Sequence, residues 1–69
     1  MPLYLVENGQ DVEIHQIHGT DKIKKHLENI GFVIGTKLLM VNKVDENVIV
    51  KVKGVSIALS HDLAKRIFV

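Results

Sequence analysis

Along much of this chain apolar and polar residues alternate, and glycines stand where the alternation stops. Asp11-Val12-Glu13-Ile14-His15-Gln16-Ile17 puts Val12 and Ile14 on one face and Glu13 and His15 on the other, the pattern of a half-buried strand. Before it, Pro2 to Gln10 reads as an extended lead-in ending in the turn dipeptide Asn8-Gly9. After it the period changes. Ile23, Leu27 and Ile30 fall at i, i+4 and i+7, which makes one apolar stripe on a helix. Thr20 or Asp21 can cap its first turn, and Gly31 suits the position just past its end, where a left-handed backbone costs glycine little. Lys37 to Lys43 and Asn47 to Lys53 then form two strands joined by the polar loop Val44-Asp45-Glu46-Asn47, a β-hairpin. Gly54 ends the second of these, Val55, Ile57 and Leu59 alternate through another strand, Ser60 caps a single helical turn over His61 to Arg66, and Ile67-Phe68-Val69 closes as a short strand.

About five short strands and one helix, in a chain too small for a layered α/β sheet, imply a mostly β fold: a small, partly open barrel. Curling the sheet makes one face the core and limits exposed edges. The 69 residues form a single domain, 1–69, with no repeat or linker. A domain of this size buries only about 60% of the surface its unfolded chain exposes. With no cysteine to staple it, aliphatic packing must supply the stability.

Charge and composition then exclude several function classes. Nine basic residues meet eight acidic ones, and they intermingle, as Asp21 and Glu28 do with Lys22, Lys24 and Lys25. No face is strongly cationic, so no nucleic-acid partner is expected. No apolar run approaches the ~18 residues of a spanning helix, and Met1-Pro2-Leu3-Tyr4 lacks the pattern of a secretory signal. A cytoplasmic protein without membrane insertion is the expectation.

Catalytic constellations are also missing. The only serines are Ser56 and Ser60, and the adjacent Ser60, His61 and Asp62 are poorly spaced for nucleophile, base and orienting group. Gly31-Phe32-Val33-Ile34-Gly35-Thr36-Lys37 has three residues between its glycines and Thr before Lys. A phosphate-binding loop has four, with Lys first, and runs from strand to helix rather than from helix to strand. No enzyme and no cofactor are expected. One Tyr, two Phe and no Trp make a poor lining for a polyproline groove. His15, His18 and His61 are candidate metal ligands, and His26 has no histidine or carboxylate at i+4. Their spacing does not gather them into a shared site, so solvated or structural histidines are the expected reading.

What the strands and helix leave over is apolar surface. If Leu38 and Met40 face the core, Leu39 and Val41 face outward beside Ile49, and Phe32, Val33 and Ile34 add an apolar loop. Such a patch marks a partner site. Phe32, Ile34, Leu39, Val41 and Ile49 are therefore the candidate contact residues, with Lys51 and Lys53 placed to steer an acidic partner. Gly31, Gly35 and Gly54 are the candidate structural glycines. Exposed strand edges leave a homo-oligomer open.

The order of these features resembles the FeoA family of small cytoplasmic accessory proteins in bacterial ferrous iron uptake. The resemblance covers essentially the whole chain. It is carried by Gly9 after an apolar lead-in, Leu27 on the helix, Ile30-Gly31-Phe32 where the family has a Leu-Gly-Phe/Met-like triplet, and Gly35-Thr36. Val48, Val50, Val52 and Gly54 follow, then Ile57-Ala58-Leu59, Ala64, Ile67 and Val69. Two departures are Ile30 for the commoner Leu and the short Asp45-Glu46-Asn47 loop. The resemblance implies an SH3-like barrel with a helix inserted after the first strand. It also implies a role beside FeoB, a membrane transporter with a cytosolic GTP-binding region, by protein contact without catalysis. Two alternatives accompany it: a direct metal-ion sensor or carrier using the histidines, and a free-standing relative of the C-terminal domain of DtxR-type repressors, which shares this fold.

Overall fold

A computed structural model describes all 69 residues. A short 3-10 helix, Leu3–Leu5, is followed by β1 (Asp11–Glu13), β2 (Gln16–Ile17), α1 (Asp21–Asn29), β3 (Lys37–Val44), β4 (Asn47–Val52), β5 (Val55–Ser60), α2 (His61–Ala64) and β6 (Ile67–Phe68). The strands form an antiparallel four-stranded sheet, ordered β1-β3-β4-β5, and a separate β2-β6 ribbon. This is the mostly β arrangement with one inserted helix that the resemblance implies.

Three local expectations need correction. The lead-in is not simply extended, because Leu3–Leu5 form a helical turn that buries Leu3. The strand expected over residues 11–17 is two strands. Its alternation continues past Glu13, but the chain changes sheets there: Ile14 donates to the Thr36 carbonyl at 2.9 Å, and His15 donates to the Phe68 carbonyl at 2.8 Å. The inward parity slips at the switch: Val12 and Ile14 face the core, His15 and Gln16 are both exposed, and Ile17 is the half-buried residue of β2. Third, β3 carries a bulge. Met40 pairs with Val50 and Asn42 with Ile49, leaving Val41 as the extra residue.

Every buried side chain is apolar. Leu3, Val6, Ile14, Leu27, Phe32, Leu38, Met40, Val48, Val50, Leu59, Ala64 and Ile67 form one cluster, with Val52 at its margin. Alternate residues of β3, β4 and β5 supply six of the thirteen, α1 supplies Leu27, and the segment after α1 supplies Phe32.

Candidate functional site

The segment between α1 and β3 is set by how α1 starts and stops. Thr20 caps the start, its Oγ1 accepting from the Ile23 amide at 3.3 Å. At the other end Gly31 N–H donates to the Glu28 carbonyl at 3.0 Å and Phe32 N–H to the Leu27 carbonyl at 2.9 Å, with Gly31 at φ 98°. Those two bonds make a Schellman cap, whose usual companion is a hydrophobic contact between the flanking residues. Here those residues are Leu27 and Phe32, both in the core. A Cβ on Gly31 would meet nothing within 4 Å, so only backbone conformation demands glycine. Gly31→Val should lower stability by roughly 1–2 kcal/mol. In a domain of this size that lowers the melting temperature by about 4–15 °C; a calorimetric scan that superimposes on wild type would refute the cap.

Phe32 itself is 0% exposed and heads the fully buried side chains by volume. It is a core residue, not a contact residue, because the cap that ends α1 aims it inward. Ile34 is the opposite case. The turn Val33-Ile34-Gly35-Thr36 is closed by Thr36 N–H donating to the Val33 carbonyl at 3.0 Å, and Val33 N–H donates back to Thr36 Oγ1 at 3.2 Å. Gly35 stands third in the turn at φ 93°, the left-handed position that a type II turn reserves for glycine. Gly35 N–H also donates to the Ile14 carbonyl at 2.7 Å. The backbone around Ile34 is thus bonded on both sides, while its side chain is 67% exposed beside the exposed Val33.

From that tip the surface continues onto the sheet. Ile34 lines an open depression of about 700 Å³ together with Glu28, Lys37 and Lys53. Lys37 leads along β3 to Leu39, which is half-buried and pairs with Lys51 on β4; further along, half-buried Ile49 pairs with Asn42 beside the bulged, exposed Val41. Lys37, Lys51 and Lys53 are exposed and make no ion pair; the one in the fold is Lys65–Asp62 at 3.4 Å. Asp11 and Glu13 border the surface on β1, opposite Leu39 and Lys37. Lys53 sits at φ 52° and Gly54 at φ 81° in the two-residue turn joining β4 to β5. A lysine there is held in a conformation that costs an L-residue about 1–2 kcal/mol.

Ile34, Leu39, Val41, Ile49, Lys51 and Lys53 therefore share one side of the molecule, and Phe32 leaves the set. Val33 and Lys37 belong with them. The signal for Lys37 was its place two residues before Leu39, on the same face of β3.

The candidate ligands His15, His18 and His61 do not converge. The His18 ring packs on Phe68 at 4.5 Å and the His61 ring on Tyr4 at 4.7 Å, and no three metal-ligating side chains lie together anywhere in the fold. No helix is long and apolar enough to cross a membrane.

The model of the FeoA domain matches residues 1–69. The chain belongs to the FeoA family. That family is associated with ferrous iron transport and consists of small accessory domains rather than known enzymes. Among solved structures, FeoA of Stenotrophomonas maltophilia is 28% identical with a TM-score of 0.81, over 99% of this chain and 87% of that one. That protein was solved in complex with zinc, described as an SH3 domain protein, and put forward as a ferrous iron transport activating factor. An iron uptake regulatory protein of the FeoA type is 24% identical with a TM-score of 0.86, over 96% of this chain and 88% of that one. A manganese-dependent transcriptional repressor shares the fold at 15% identity and a TM-score of 0.88, and this chain spans 40% of its length. No curated protein matches the chain. Within the FeoA fold, the Ile34 turn and the outer face of β3 and β4 make up the candidate contact surface.

Proposed function

We propose that this FeoA-family chain is a cytoplasmic accessory protein that modulates ferrous iron transport by docking on the cytosolic GTP-binding region of a FeoB-type transporter. The observation that supports this reading is Ile34, an aliphatic side chain two-thirds exposed at the tip of a turn whose flanking residues Val33, Gly35 and Thr36 are hydrogen-bonded. Large apolar residues held outward on a fixed backbone suit an interface, since little ordering entropy is lost when they bind. Leu39, Val41 and Ile49 extend the apolar area, and Lys37, Lys51 and Lys53, free of ion pairs, complement an acidic partner.

Titration calorimetry of the chain into the FeoB cytosolic domain tests the proposal, with GTP analogue, GDP or no nucleotide. Saturable binding that weakens several-fold between low and physiological salt is expected. Absence of heat and of co-elution at low salt in all three nucleotide states overturns it. The metal-carrier and repressor-domain alternatives gain less support: the histidines lie apart, and the repressor likeness is one of fold.

A further inference from the structure

The four-stranded sheet has two free edges, and they differ. β1 is three residues long and carries Asp11 and Glu13, charges that discourage another strand from adding. β5 is six residues long, Val55-Ser56-Ile57-Ala58-Leu59-Ser60, with no charge and no proline, and only β4 pairs with it. The Lys53-Gly54 turn closes on the pair Val52 and Val55. A two-residue turn closes on a hydrogen-bonded pair, and pair types then alternate along the ladder. Val55, Ile57 and Leu59 accordingly bond to β4, while Ser56 and Ala58 direct their N–H and C=O groups away from it. None of the turn, loop and cap hydrogen bonds involves a backbone group of residues 55–59. Ser56 and Ala58 are both exposed, and on the core side of the strand Val55 is 59% exposed and Ile57 half-buried. The edge thus offers unpaired backbone groups with unfinished apolar packing beneath them.

We infer that β5 is a strand-addition edge whose occupant is β5 of a second copy, the two strands pairing antiparallel about a two-fold axis so that the sheets become continuous. Self-pairing fits this strand because it is neutral, so its own copy brings no like charge opposite. With the axis at Ile57, Ser56 meets Ala58 of the other copy and satisfies both sets of outward groups. Ile57 meets its own mate, and Val55 meets the other Leu59. The guarded β1 explains why the pairing closes rather than propagates. A head-to-tail contact of β5 on β1 would build a filament, and the short acidic edge opposes it. The contact is small by the standard of stable complexes, so the dimer is weak, with dissociation on the order of 0.1–1 mM. This inference is independent of the transporter reading.

Sedimentation velocity from about 10 µM to about 1 mM tests it on wild type, Ala58→Pro and Ser56→Lys. Ala58→Pro removes an outward N–H while leaving the β4 ladder intact, and Ser56→Lys places a charge on the edge. Wild type should pass from monomer to dimer as concentration rises, and each variant should weaken association at least tenfold with an unchanged melting temperature. If Ala58→Pro fails to fold, Ser56→Lys alone decides. A wild type that stays monomeric throughout, a dimer that both variants form equally well, or a ladder of larger species would each overturn the inference.

Discussion

Phe32→Ala should cost about 3–5 kcal/mol, the range for removing a buried aromatic ring and leaving a cavity. A domain of this length holds little stability in reserve, so the variant is expected to be largely unfolded at room temperature. Urea denaturation followed by far-UV circular dichroism measures this directly. The ring is 0% exposed and shares the core with Leu27, Ile14 and Met40, and the cap of α1 fixes its backbone by the 2.9 Å bond to Leu27. Any loss of partner binding in this variant follows from loss of fold. A Phe32→Ala protein that unfolds at the wild-type urea midpoint would mean the ring lies on the surface.

Two residues further on the sign reverses. Ile34→Glu is expected to leave the urea midpoint close to wild type, as surface substitutions move stability by only about 0.5 kcal/mol. Binding to the FeoB cytosolic domain should fall at least tenfold. Losing the burial of an isoleucine forfeits roughly 1.5–3 kcal/mol, and a carboxylate beside Lys37 and Lys53 weakens attraction to an acidic partner. Calorimetry and denaturation on the same preparation separate the two effects. Ile34→Glu binding with wild-type affinity would remove the turn from the contact surface and leave Leu39, Val41 and Ile49 as the remaining candidates.

The contrast between Phe32 and Ile34 shows how far the sequence could be read. Both stand in one apolar run, Phe32-Val33-Ile34, and composition cannot tell an inward ring from an outward one. The glycine ahead of them can. Once Gly31 is the left-handed stop of α1, the next residue is the one that packs back on Leu27, so burial of Phe32 follows from a feature already visible. Strand existence, the hairpin and a helix cap at Thr20 or Asp21 were legible because periodicity and side-chain chemistry act locally; the structure assigns the cap to Thr20. The division of residues 11–17 left only one local trace, the consecutive polar pair His15-Gln16 that puts Ile17 out of phase with Val12 and Ile14; which sheet each strand joins depends on partners far along the chain, Thr36 and Phe68. The bulge at Val41 was hidden for the same reason: Leu38-Leu39-Met40-Val41 is apolar throughout, and the extra residue shows only against Val50 and Ile49. The gathering of Ile34 with Lys37 and Lys53 likewise depends on the register of β3 with β4.

Ile14 engages the Ile34 turn through its own amide and carbonyl, and the next residue, His15, fastens to the final strand. One dipeptide is therefore a common anchor for the Ile34 turn and for the end of the β2–β6 ribbon. A partner docking as proposed would meet a turn tied down by two backbone bonds to Ile14, and its selectivity would then rest on fit rather than on adjustment.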